Sequence, residues 1–286
     1  MGSCASTYRI AGKEIAFDRT LAGFDRLFIK RTSWKSDTPN YFEPSDREPS
    51  IRTEGWLLDQ STSVCLYDVK GGSWLVILDA GVFWVETNGQ FVGQIESKLS
   101  DEKRQLEVLL GAPLIFALAQ QNVWCLHASA ALMDDGVVIF MGESGSGKST
   151  LVRYLETRED DHFVSDDIIP IALENGELVA YPHFPQLKRA MTDQPGFDLP
   201  EKLPVARIFQ LTSSQEVLIE SFTPVEGVQM LVKNSVATRL LGPLLLSKHL
   251  DFCTQAISIL PVKRLAYPRE MSILPKVYSA LVDDIS

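Results

Sequence analysis

The sequence predicts an α/β fold, with a smaller antiparallel β domain over residues 1–96 and a larger α/β domain over residues 97–286. Two patterns carry that expectation. Between residues 56 and 95, short apolar stretches alternate with turn signals and no helical period intervenes. Further on, the apolar β-branched run Val137, Val138, Ile139, Phe140 and Met141 ends in a glycine-rich turn and passes straight into a helix-forming stretch, the strand-to-helix step of an α/β domain. A chain of 286 residues with 45% hydrophobic content has ample material for both cores.

In chain order, residues 8–17 form a hairpin or a strand turned at Gly12. Residues 34–55 are polar, rich in Pro, Ser, Asp and Glu, and read as an exposed loop. Strands follow at 64–69, 74–78 and 82–86 around Gly71-Gly72, and an Asn88-Gly89 turn closes onto residues 91–95. Ser100 can cap a helix with Asp101 and Glu102 in its first turn. Its apolar face is Leu106, Leu109, Leu110, Leu114 and Ala117, and it runs as far as Gln121.

In the larger domain, residues 124–132 and 137–141 read as strands joined at Asp134-Asp135-Gly136. Residues 162–165 form a short strand that ends in Asp166-Asp167, and 168–173 and 178–181 flank the hairpin turn Glu174-Asn175-Gly176-Glu177. Residues 203–211 resemble a strand, 226–258 are largely helical with Pro243 interrupting, 262–267 resemble a last strand, and 269–284 a last helix containing Pro275.

The turn after residue 141 is chemically specific. Gly142-Glu143-Ser144-Gly145-Ser146-Gly147-Lys148-Ser149-Thr150 is a complete G-x-x-x-x-G-K-[ST] phosphate-binding loop. The glycines let several backbone N–H groups converge on one anion, and the helix that starts near Lys148 adds the positive end of its dipole. Lys148 is placed to reach β- and γ-phosphates and the Ser149 hydroxyl to ligate Mg²⁺. The acidic pair lies only 18 positions after Lys148, room for one short helix and a return strand, which sets Asp166 and Asp167 beside the loop. Phosphoryl transfer needs a carboxylate to hold the metal and a group to take a proton from the attacking hydroxyl, so adjacent carboxylates can divide that work. An ordinary Asp-Asp turn is the plainer reading. His127, in the middle of an apolar strand, reads as a hydrogen-bonded core histidine unless it borders the same pocket.

A net charge of -10 argues against a general nucleic-acid binder. Cys4, Cys65, Cys125 and Cys253 show no C-x-x-C spacing, so neither a zinc site nor a disulfide framework is indicated. No apolar run reaches the length of a membrane span, and the first residues lack the pattern of a signal peptide. The expectation is a cytoplasmic protein without a membrane or nucleic-acid partner. The oligomeric state stays open, with a homo-oligomer among the options.

Taken together, three stretches resemble in order and spacing the catalytic domain of HPr kinase/phosphorylase and its stand-alone relatives. They are Leu126-His127-Ala128-Ser129-Ala130, the loop 142–150, and Val164-Ser165-Asp166-Asp167. Tyr181-Pro182-His183-Phe184-Pro185-Gln186-Leu187-Lys188 also looks like the YP-x-x-P-x-LK segment of those relatives. The resemblance covers residues 120–190 well and the rest loosely.

It implies a phosphoenolpyruvate-carboxykinase-like P-loop nucleotide-binding domain that transfers phosphate from ATP, with Mg²⁺, to a serine hydroxyl. By position, Asp166 matches the catalytic base, His127 the histidine that supports it, and Asp167 the magnesium-side carboxylate. Lys148 and Ser149 match the phosphate and metal contacts. Two departures stand out: Thr150 occupies a position where the bifunctional enzyme has an acidic residue, and no glycine- and arginine-rich segment follows Pro204. The chain therefore looks more like the short relatives found beside peptide-tailoring genes, some of which phosphorylate the C-terminal serine of lasso-peptide precursors. The implied partner is a peptide or small protein. Lys188, Arg189 and Arg207 are candidates to steady a phosphate or a peptide carboxylate, with solvated surface charge as the plainer reading. A small-metabolite kinase, and a nucleotide-binding module that switches a partner without transfer, are the alternatives.

Overall fold

The computed structural model describes residues 3–34, 47–57, 60–134, 136–158, 162–185 and 198–285. The chain divides into two compact units, one made of Met1–Val123 with Ala237–Ser247, the other of Trp124–Val236 with Lys248–Ser286.

In the first unit the strands are β1 (Ser3–Ile10), β2 (Lys13–Phe17), β3 (Phe28–Trp34), β4 (Ile51–Leu57), β5 (Gln60–Val69), β6 (Gly72–Ile77), β7 (Gly81–Glu86) and β8 (Phe91–Ser97). They form one sheet in the order β3-β1-β2-β8-β7-β6-β5-β4. Neighbours are antiparallel except β2 and β8. Trp74 and Trp84 sit opposite each other on β6 and β7 with ring centroids 4.8 Å apart, and Tyr67 and Phe91 complete that buried cluster.

The polar stretch expected to be loop over 34–55 takes in the greater part of β4, which pairs with β5 from Ile51 opposite Leu66 to Leu57 opposite Gln60. Its charged composition is that of an edge strand, and β4 lies at one edge of the sheet with β3 at the other. Residues 35–46 of that stretch lie outside the described residues.

The single helix expected over 100–121 is two, α1 (Glu102–Leu109) and α2 (Ala112–Gln120). Asp101, not Ser100, caps α1 by accepting from the Lys103 N–H at 3.0 Å. Pro113 in the first turn of α2 has no N–H to bond back into α1, and Gly111, at φ -84 and ψ -120, leaves the helical conformation, so the chain breaks there. The pair also moves the boundary. Placed by sequence in the second domain, α1 packs on β8 and α2 on β7 and β8, and residues 113–119 are all buried. The first unit therefore runs to Val123 rather than residue 96, and it recovers Ala237–Ser247 as well.

The second unit contains β9 (Trp124–Met133), β10 (Gly136–Met141), α3 (Lys148–Leu155), β11 (His162–Ser165), β12 (Ile168–Glu174), β13 (Glu177–Ala180), β14 (Leu203–Ser213), β15 (Leu218–Ser221), α4 (Pro224–Asn234), the greater part of α5 (Pro243–Ile259), β16 (Val262–Tyr267) and α6 (Leu274–Ile285). Pairing follows β10-β9-β12-β13-β14-β16-β15, with β11 added on β9 and a parallel β10–β14 contact. Asn175 and Gly176, at φ 52 and 84, make the left-handed turn expected between β12 and β13. Pro243 and Pro275 fall in the first turns of α5 and α6, where a missing N–H costs nothing, rather than inside helices.

The core of this unit packs Leu151, Val152 and Leu155 of α3 and Leu274, Val277 and Leu281 of α6 against Phe140, Phe209 and Leu265 of the sheet. The strand β9 is the pivot. Residues 124–127 pair with β12, whereas 130–132 pair on the same side with β11, and the bend at Asp166 and Asp167 occupies the exchange point.

His249 of α5 is fully buried, its Nε2 2.9 Å from Ser235 Oγ and its ring centroid 4.8 Å from that of Trp124. Ser235 Oγ itself donates to the Leu231 carbonyl at 2.8 Å, so His249 is the donor in the shared bond. Burial holds the imidazole below its ordinary 6.5. The unfolded chain then takes up the proton first, and stability present above pH 6.5 is lost as the pH falls toward the folded value. Urea unfolding should weaken by up to about 1.4 kcal/mol per pH unit below that point. His249→Gln should flatten this part of the profile, and an unchanged slope in the variant contradicts the assignment.

Candidate functional site

The phosphate-binding loop leaves β10 at Met141 and enters α3 at Lys148. Gly147, the residue before the helix, has φ 95, a left-handed conformation that costs an L side chain. A Cβ at Gly142 would lie 2.6 Å from Ser146 Oγ, so the loop closes on itself only because that position is bare. The Ser146 hydroxyl is buried beneath it with no hydrogen-bond partner among the described residues. Lys148 is 8% exposed, and its ammonium donates to the Gly142 carbonyl at 2.7 Å and the Glu143 carbonyl at 3.2 Å. A lysine so buried is held near the loop's centre rather than waving in solvent.

Opposite the loop lie the acidic pair and two residues of β9. Met141 pairs with Ala128, Ser165 with Ala130 and Ile168 with His127, so three chain segments meet at one level. Alternation along the strand puts His127 and Ser129 on one face. Ser129 Oγ donates to Asp166 Oδ1 at 3.0 Å. His127 Nδ1 lies 3.5 Å from Asp167 Oδ1, and the Ala128 N–H donates to the Asp167 carbonyl at 3.1 Å. Family resemblance gives His127 the support of Asp166; His127 Nδ1 lies beside Asp167 Oδ1, and Ser129 Oγ donates to Asp166. The strand β11 is not next to β10, since β9 runs between them. The acids still reach the loop because β11 ends level with it.

His127, Ser144, Gly145, Ser146, Gly147, Lys148, Ser149, Thr150, Asp166 and Asp167 line one cleft of about 240 Å³. Gly142 forms the loop's floor, and Glu143 turns outward to Lys233 of α4, Nζ to Oε1 3.1 Å. Arg207 is not part of this cleft. Its guanidinium Nε binds Asp284 Oδ2 at 3.0 Å, and together with Lys263 it fastens the end of α6 to β14 and β16. That ion pair accounts for its charge, so the substrate assignment is corrected. Lys188 and Arg189 lie outside the described residues.

Four residues near the site escape a sequence reading. Ser129 carries a signal, being two positions from His127 on a strand. Arg153 of α3 comes within 3.9 Å of Asp166 Oδ2. Lys233 and Arg269, whose Nη1 donates to the Gly145 carbonyl at 3.1 Å, arrive from distant segments and leave no local trace. Gly147→Ala should lower stability by roughly 1–2 kcal/mol through its left-handed backbone alone, and its Cβ would also press to 3.2 Å of the Tyr267 hydroxyl. Unchanged stability in urea would mean the loop leaves β10 in another conformation.

No protein-family model matches the sequence, and no curated protein matches it. Among solved structures, the chain is similar to the HPr(Ser) kinase/phosphatase from Coxiella burnetii, with 17% identity, a TM-score of 0.34, and coverage of 56% of this chain and 94% of that one.

Proposed function

We propose that the protein is a kinase that transfers a phosphoryl group from ATP to a serine hydroxyl of a peptide or small protein in the cytoplasm. The observation that carries this reading is the convergence of the complete phosphate-binding loop and two carboxylates on one cleft. Within that class, the C-terminal serine of a ribosomally made peptide such as a lasso-peptide precursor is the acceptor we favour, on the strength of the family resemblance.

The residues fit the groups this reaction needs. Backbone N–H groups at the start of α3, the bare Gly142 floor and the Lys148 ammonium form an anion cradle. Phosphate oxygens, being charged acceptors, compete well against the two carbonyls that Lys148 now engages. Ser149 and Asp167 would hold Mg²⁺, which when bound offsets phosphate charge during transfer. Among the described residues no three His, Cys, Asp or Glu side chains converge on a metal position. The ion would thus complete its shell with phosphate oxygens and water, as Mg²⁺ does in such sites.

In the reaction, the serine O–H bond breaks as its oxygen bonds to the γ-phosphorus, and the bond from that phosphorus to the bridging oxygen breaks to release ADP. The proton goes to Asp166 and then to solvent. Ser129 steadies the Asp166 carboxylate through Oδ1 while that carboxylate takes the proton. His127, 43% exposed at the mouth, keeps the Asp167 carboxylate oriented.

Lys148→Ala should weaken ATP binding in calorimetry and abolish transfer, and undiminished affinity and turnover would remove the basis of the reading. The two acids should separate by role. Asp166→Asn should retain nucleotide while transfer falls about a hundredfold or more, whereas Asp167→Asn should raise the Mg²⁺ concentration needed for half-maximal rate. If both variants work normally at ordinary Mg²⁺, the acidic pair is only a turn.

A further inference from the structure

The cleft is too small and too polar to house a whole nucleotide. Its volume of about 240 Å³ falls below the roughly 300–1,000 Å³ of pockets that enclose a drug-sized ligand. Among the described residues that line it, only the His127 imidazole offers a ring, and none is an aliphatic hydrophobe. A chain of phosphates suits such a lining, whereas a base and its ribose need flat or apolar surface. The nucleoside half of ATP must run out over one rim, and the sheet says which.

Along the sheet, β9 and β11, with the acidic pair, lie to one side of β10, and β14 and β16 lie to the other. With the γ-phosphate presented to Asp166 and Asp167, the α-phosphate and what it carries point away from them, toward β14 and β16. These two strands run parallel to β10, so their C-terminal ends open on the edge where the loop emerges, the usual place for a ligand on such a sheet. The chain leaving β16 then comes back to the loop. A Cβ at Gly147 would lie 3.2 Å from the Tyr267 hydroxyl, and Arg269 Nη1 donates to the Gly145 carbonyl at 3.1 Å. Met271 follows on a 3-10 turn (Met271–Ile273) and is 66% exposed.

We infer, resting on the kinase reading above, that residues 267–271 form the nucleoside subsite, with the Arg269 guanidinium on the face of the base and Met271 at its edge. A guanidinium is planar and weakly hydrated, and it stacks on aromatic rings while its charge is drawn to their π-face. The bond to the Gly145 carbonyl anchors this one beside the loop on the rim away from the acids. Met271 brings a flexible thioether, whose sulfur packs well against ring edges. Uncovered, its carbon and sulfur surface stands in water, and a base laid on it removes that surface from solvent. The loop and the acids thus hold the reacting phosphates inside the cleft, while the segment after β16 holds the remainder of the donor outside it.

Two probes separate the base from the phosphates: ADP and pyrophosphate, each titrated by calorimetry with Mg²⁺ at about 0.15 M salt, where screening confines a charge to roughly 8 Å. Wild type should bind ADP about tenfold more tightly than pyrophosphate, the scale of one cation–π and one sulfur–ring contact together. Arg269→Gln keeps an N–H for the Gly145 carbonyl and loses the charged plane. It should lower ADP affinity about fivefold and leave pyrophosphate within about twofold. Met271→Ala, which removes no charge, should lower ADP affinity about threefold with pyrophosphate unchanged. Equal affinity of wild type for both probes, or equal losses of both in Arg269→Gln, overturns the inference and leaves the kinase reading standing. Undiminished ADP affinity in both variants puts the base on another rim and overturns it as well. Binding of neither probe by wild type overturns the inference and the kinase reading together.

Discussion

The register of β9 is the constraint on which the site depends. One side of this strand pairs continuously with β10, which delivers the phosphate-binding loop just past the Met141–Ala128 rung. Its other side pairs first with β12 and then with β11, and no regular ladder can span the exchange. The regular pairing is interrupted there at Asp166 and Asp167, although the Asp167 carbonyl still accepts from the Ala128 N–H. A slip of one residue would turn His127 and Ser129 to the opposite face and strand both carboxylates without those partners. Ala128 and Ala130, which alternate with His127 and Ser129 along the strand, are fully buried.

The loop itself is held together by interactions that a bound anion would replace. Lys148 is satisfied by carbonyls of its own loop, and the buried Ser146 hydroxyl lacks a partner among the described residues, a state that costs on the order of 1–3 kcal/mol. The tightness of the cradle follows from what is left out as much as from what is present, since any side chain at Gly142 would collide with Ser146. Arg269 and Lys233 brace the loop from outside through Gly145 and Glu143, so its outer wall is fixed by tertiary packing and not by the motif.

Much of this was legible in the residues. The loop's spacing defines its own geometry, β16 falls over the residues expected of it, and the β12–β13 turn is written in Asn175-Gly176. The elements that were not legible share physical causes. The strands β3 and β4 are edge strands, whose exposed charged residues mimic loop composition. Helices α1 and α2 belong with the strands before them because of a packing face that periodicity reveals without naming its partner. Arg207 was a candidate anion ligand because a guanidinium binds phosphate and carboxylate in a bidentate way, and only the fold shows Asp284 paired with it 77 positions away. Ser129 needed just the period-2 rule, applied to the strand that carries His127.

The way the chain threads its two units bears on how the protein can be dissected. It crosses from one to the other at Val123/Trp124, Val236/Ala237 and Ser247/Lys248. No single cut yields both pieces intact. A fragment starting at Trp124 would keep the cleft yet carry Ala237–Ser247, with its buried Leu240, Leu241 and Leu245, away from the unit to which it belongs. Recombinant production of the cleft-bearing half alone calls for replacing that segment with a short polar linker, not for a shorter clone.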